Sequence, residues 1–131
     1  MYDELLRIPL ILAGPGIGKQ IRSDLARQTD LAPTLASLAG LRWPSPVDGR
    51  DLSRDATGPD AVFLEYYSKH KWVNPIRTIR TREWKYSCYD HSGQEELYSL
   101  AKDPHELANL AGKEPVQPLL RKRLDAWFRR A

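Results

Sequence analysis

Ile8-Pro-Leu-Ile-Leu-Ala13 is apolar without a break and closes at Gly14-Pro15-Gly16. A strand with one wet face alternates polar and apolar residues. A strand that does not alternate predicts burial on both faces, and Pro9, lacking an N–H, belongs at its start or at a sheet edge. Such burial needs neighbouring strands and helices on both sides. The next stretch of chain supplies a single helix. Asp30 is a suitable N-cap, Pro33 falls in the first turn, Leu31, Leu35 and Leu38 share a face, and Gly40 closes the helix in the left-handed conformation. From Trp43 to Pro59 the chain is rich in Pro, Gly, Asp and Ser and reads as a loop. Residues 1–60 therefore read as the terminal strand, helix and loop of a larger α/β core.

The second half has a different pattern. Ala61 to Tyr67 alternates in β fashion, as do Arg77 to Thr81 and Trp84 to Tyr89. Arg82-Glu83 joins the latter two as a hairpin without a glycine, and its turn type stays open. Asp90-His-Ser-Gly93 is a turn leading into a strand over Glu96 to Leu100. Asp103-Pro-His-Glu106, with Gly112 beyond it, predicts a short helix with Asp103 as N-cap. A last helix starts near Pro115 to Pro118 and carries Leu120, Leu124, Trp127 and Phe128 on one stripe. Residues 61–131 thus form a small antiparallel subdomain with a closing helix. The whole chain reads as α+β: the tail of a large α/β sheet beside a small antiparallel sheet.

The length of 131 residues and the apolar fraction of 41% suit about one domain with a modest core, and a charged fraction of 28% gives no sign of general disorder. There is no run of about eighteen apolar residues to span a membrane, and the start lacks the basic-then-apolar order of a signal peptide. The single cysteine, Cys88, excludes an internal disulfide and leaves the compartment open. The net charge of +3 is unevenly spread. Lys69, Lys71, Arg77, Arg80, Arg82 and Lys85 fall in one stretch, and Arg121, Lys122, Arg123, Arg129 and Arg130 crowd the end. Such a stretch attracts an anionic ester or a nucleic-acid backbone, or it is simply the solvated side of half-buried strands.

Four phrases in fixed order carry a resemblance: Ile8 to Gly16; Asp30-Leu-Ala-Pro-Thr-Leu-Ala-Ser-Leu-Ala-Gly40; Arg77-Thr-Ile-Arg-Thr-Arg-Glu-Trp-Lys-Tyr86; and Glu96-Leu-Tyr-Ser-Leu-Ala-Lys-Asp-Pro-His-Glu-Leu-Ala-Asn-Leu-Ala-Gly112. Together they resemble the C-terminal part of a formylglycine-dependent sulfatase of the alkaline-phosphatase superfamily, from about Met1 to Arg130. The resemblance implies a sulfuric-ester hydrolase in which this portion completes the core sheet and forms one wall of the substrate cleft. The family's nucleophile motif, Cys or Ser followed by x-Pro-x-Arg, does not occur in the chain, nor do its paired metal-binding aspartates or its Asp-Asn or Asp-His motif. No catalytic residue, metal ligand or cofactor is therefore expected here. A full-length relative would use calcium or magnesium and a formylglycine. The chain alone is expected to be inactive, its partner being the rest of a sulfatase core or a second copy paired through Ile8–Ala13.

Cys88 precedes Tyr89-Asp90-His91, lacks the motif's Pro and Arg, and reads as a structural cysteine. His70, His91 and His105 match no metal-binding spacing. The segment Glu65 to Pro75 is the one place where the resemblance implies contact with substrate. Lys69, His70 and Lys71 would pair with an anionic sulfate ester, and Trp72 would stack on a ring. The plainer alternative is a solvated loop with Trp72 tucked beneath it. A binding module for nucleic acid is the less favoured rival, and a freestanding remnant of a sulfatase gene is another.

Overall fold

The computed structural model describes residues 1–42, 47–54, 57–67 and 74–129. Two compact units emerge, Met1–Ile8 with Ala61–Ala131, and Pro9–Asp60.

The first unit is built on four antiparallel strands in sequence order: β1 (Ala61–Tyr66), β2 (Ile76–Thr81), β3 (Trp84–Tyr89) and β4 (Glu95–Ser99). The chain is α+β. Register places Phe63 opposite Ile79, Ile79 opposite Tyr86, and Tyr86 opposite Leu97, so one sheet face carries a continuous apolar row. A C-terminal helix (Gln117–Phe128) covers this row with Leu120, Leu124 and Trp127, and Trp127 stacks on Phe63 at 5.0 Å. Ile79, Tyr86, Leu97 and Leu124 are wholly buried there. Each large side chain in such a core contributes about 1.5–3 kcal/mol by burial, which explains why this layer closes on itself. The stripe loses its last member: Phe128 stays partly exposed, with the Arg77 guanidinium 4.4 Å from its ring centre.

Side chains rather than glycine close the β2–β3 hairpin. The Thr81 hydroxyl donates to the Trp84 carbonyl at 3.1 Å and accepts the Trp84 N–H at 2.9 Å. The β3–β4 turn does use a glycine, Gly93, whose φ is +68° and whose N–H meets the Tyr89 carbonyl. The expected helix over 103–112 does not form. The Asp103 carboxylate accepts the Ala108 N–H at 2.9 Å, as a cap would, but Glu106 stands at φ +56°, outside helical space. The segment instead runs as turns alongside β4, with the Leu110 N–H on the Leu97 carbonyl.

A short helix, α1 (Asp3–Leu6), belongs to this unit, while α2 (Leu31–Leu38) belongs to the other. The C-terminal helix is therefore α3. α2 follows a 3-10 turn over Gln28–Asp30 and ends at Gly40, with φ +70°. Its buried positions are Pro33 and Thr34, whereas Leu35 is 58% and Leu38 42% exposed, so the face that reads as apolar lies outward. Asp30 sits at the N-cap position but spends its carboxylate elsewhere. It accepts the Arg27 N–H at 2.8 Å and the Arg50 N–H at 3.0 Å. The strand expected over Ile8–Ala13 is absent, and Ile11 is 86% exposed. An extended segment without neighbouring strands has no partners for its N–H and C=O groups, and here it stays in coil.

Candidate functional site

Lys69, His70, Lys71 and Trp72 lie outside the described residues. The base of their loop is described: Tyr66 pairs with Ile76 and Glu65 with Arg77, so the loop springs from the β1–β2 hairpin. Tyr66 and Tyr67 at its root are exposed. Arg77, at the same root, donates from Nε to Asp90 at 3.0 Å, and this carboxylate holds its guanidinium above the ordinary range.

On the sheet face opposite α3, charge is buried. Lys85 is 0% exposed and forms an ion pair with Glu106, itself buried. Asp3 stands 3.9 Å from the Lys85 Nζ and accepts from Arg80 through Nε at 3.0 Å and through a terminal nitrogen at 2.8 Å. The Asp3 N–H donates to Glu106 Oε2 at 2.7 Å. The Tyr2 and Tyr98 rings each lie 5.6 Å from the ammonium. Burial by itself would raise the Asp3 carboxyl, but Arg80 and Lys85 more than offset it and hold it below its usual value. Thr78 and Ser87 share a hydrogen bond of 2.8 Å on the same face, and Tyr89, beside Glu96, is pushed up to about 12 by burial and by that carboxylate.

The reading of strand lysines and arginines as solvated does not hold for Lys85. Its strand neighbours, Trp84 and Tyr86, follow the alternation, which puts Lys85 on the second face. That this face is buried and acidic depends on Asp3 and Glu106, which lie far from Lys85 in sequence, and no local pattern announces them. Much of the basic stretch is neutralised: Arg77 by Asp90, Arg80 by Asp3, Lys85 by Glu106 and, near the end, Arg121 by Glu95.

The second unit holds its own charged hub. Asp24 accepts from Arg22 and Arg50, each at 2.7 Å, and the Arg22 bond first among these holds its carboxyl far below the usual range. The Thr34 hydroxyl donates to the Asp30 carbonyl at 2.6 Å and accepts the Leu52 N–H at 2.8 Å.

Burial raises the Cys88 thiol above its ordinary pKa, the opposite of what a thiolate nucleophile needs. Among the described residues no group of three or more His, Cys, Asp and Glu side chains is arranged to hold a metal ion, and no helix is long and apolar enough to cross a membrane.

This architecture has known counterparts. The model of the N-sulphoglucosamine sulphohydrolase C-terminal family matches residues 1–129. The chain belongs to this family. Among relatives, a Δ4,5-hexuronate-2-O-sulfatase of Bacteroides thetaiotaomicron is 38% identical over 87% of this chain and 26% of its own length. A choline-sulfatase of Rhizobium meliloti is 33% identical over 96% of this chain and 25% of its own. The solved structure of a 2-O GAG sulfatase superposes with a TM-score of 0.68 at 32% identity, over 77% of this chain and 24% of that one. The chain thus spans about a quarter of the length of the sulfatases it matches.

Proposed function

We propose that the chain is the C-terminal portion of a sulfatase-like sulfuric-ester hydrolase, that it completes the core sheet and lends one wall to the substrate cleft, and that it is inactive by itself. The observation that carries this reading is the family match over residues 1–129 combined with coverage of only a quarter of each relative. Two features of the molecule support it. The Ile8–Ala13 segment and the Leu35/Leu38 face of α2 are apolar and uncovered, as surfaces awaiting the rest of a core would be. The residues here also do not suit the family's chemistry. The Cys/Ser-x-Pro-x-Arg motif is absent, and the described residues offer no metal-binding cluster, so no hydrolytic step is assigned to them.

In this reading Lys69, His70, Lys71 and Trp72 face an anionic sulfate ester from the β1–β2 loop. The test is an aryl-sulfate assay of the purified chain with added calcium or magnesium, for which no turnover is expected. Turnover that disappears in Cys88→Ser would sink the proposal. The in-frame sequence directly upstream of Met1 provides a second check, where Cys or Ser-x-Pro-x-Arg is expected. The nucleic-acid reading is disfavoured by the ion pairs that occupy Arg77, Arg80, Lys85 and Arg121. Salt-sensitive binding of single-stranded oligonucleotides would revive it.

A further inference from the structure

We infer that Asp3 is a latch: it fastens Met1–Ile8, as a strap, to the sheet through buried charge, and the strap can release while the sheet stays folded. Apolar burial holds little of the strap: Leu5 is 77% and Ile8 64% exposed, and Tyr2, whose ring meets that of Tyr98 at 6.1 Å, is still 43% exposed. Its buried residue is instead a carboxylate. The groups that receive Asp3 come from three separate places: Arg80 on β2, Lys85 on β3, and Glu106 after β4. Glu106 is the non-glycine residue with positive φ among those described. A side chain persists in that conformation where its surroundings over-determine it, and here the strained residue delivers the carboxylate that grips both Lys85 and the Asp3 N–H.

Without the strap one ion pair survives and one cation loses its carboxylate. Lys85 keeps Glu106, and Arg80 keeps a bond to the Thr81 carbonyl at 3.3 Å. The apolar core lies on the opposite sheet face, where Ile79, Tyr86 and Leu97 meet α3. Losing Asp3 therefore removes the strap's pairing with Arg80 and Lys85, leaving it the Met1–Glu96 pair at 3.9 Å and the Tyr2–Tyr98 ring contact, and leaves the sheet's main support in place. The latch does not depend on the hydrolase reading.

Native-state hydrogen exchange on the full chain tests it. The Asp3, Leu5 and Arg7 amides bond to Glu106, Tyr2 and Asp3 respectively, so they report on the strap, while Leu97 and the β3 amides report on the sheet. In the unmodified chain the strap amides are expected to exchange by local opening that is insensitive to low denaturant, whereas the sheet amides wait for global unfolding. Asp3→Asn is expected to speed strap exchange by about tenfold to a hundredfold, with sheet protection retained. Leu5→Ala is expected to change neither. Strap and sheet amides exchanging together in the unmodified chain, or an unaltered strap in Asp3→Asn, would overturn the latch.

Discussion

Gly49 has no room for a β-carbon. One built there would stand 2.0 Å from the Thr29 carbonyl oxygen and 3.1 Å from the Asp30 nitrogen. This close approach brings the Arg50 N–H to Asp30 and, two residues on, the Leu52 N–H to Thr34. Gly49→Ala is expected to push these backbones apart at a cost of about 1–3 kcal/mol, read as faster exchange at the Arg50 and Leu52 amides. The sequence shows the glycine inside a loop-like composition, but the need for it arises from a segment twenty residues away that no local pattern names. Tyr89 makes a second residue-scale test. Burial and Glu96 favour its neutral phenol in the folded state, so the linked stability is full below about pH 10 and declines as the pH rises toward 12. Tyr86 and Tyr98 are raised as well, so absorbance titration of Tyr89→Phe is expected to lose one of the tyrosines that ionise well above the ordinary range, and an unchanged high-pH phase would contradict the assignment to Tyr89. Cys88 should likewise react slowly with Ellman's reagent at neutral pH until the chain is unfolded, because burial keeps it protonated.

At the scale of elements, the four strands and α3 were legible because each has a periodic signal and a partner within the chain. The row Phe63, Ile79, Tyr86 and Leu97 satisfies the stripe of α3 directly. The signals that misled lacked one of those conditions. Asp103-Pro-His-Glu106 carries genuine capping chemistry, yet Lys85 draws the Glu106 carboxylate into the sheet face and a helix cannot follow. Asn109 then takes over a backbone's role beside β4. Its Oδ1 accepts the Leu97 N–H at 3.0 Å and the Ala111 N–H at 2.9 Å, and its Nδ2 donates to the Glu95 carbonyl at 3.2 Å. Leu97 is wholly buried, so its N–H has no ready replacement in water. Asn109→Ala is expected to lower the unfolding free energy by about 1–3 kcal/mol and to unprotect the Leu97 amide. Asn109→Asp, which keeps the acceptor, should lose less, and equal losses would show that the acceptor is not what matters. The Lys69–Trp72 loop lay outside this kind of reasoning altogether, since loop side chains follow no period.

Across the whole molecule, apolar surface divides unevenly between the units. α3 and the sheet cover each other, whereas in Pro9–Asp60 Asp30 and Thr34 are wholly buried and several large apolar side chains are exposed, Leu52 being a buried exception. Ile11 is 86% exposed, Leu41 67%, Leu35 58% and Leu10 44%. Each of these side chains that is covered contributes about 1.5–3 kcal/mol. Arg22, Asp24, Asp30 and Arg50 can hold the unit's backbone by hydrogen bonds, but they do nothing for its outer face. When the chain is purified by itself, a second copy is the available cover, either by pairing Ile8–Ala13 edge to edge or by stacking α2 against α2. The purified chain is therefore expected to change from monomer to larger species as concentration rises, seen by light scattering after size exclusion. Ile11→Asp should weaken association through the segment, and Leu35→Asp association through the helix. Both sites belong to the unit without the sheet, so the unfolding of Ile79, Tyr86 and Leu97 should keep its midpoint in both variants. A chain that stays monomeric at every concentration, with slow exchange at Leu10 to Leu12, would mean that Pro9–Asp60 closes a core of its own and needs no partner.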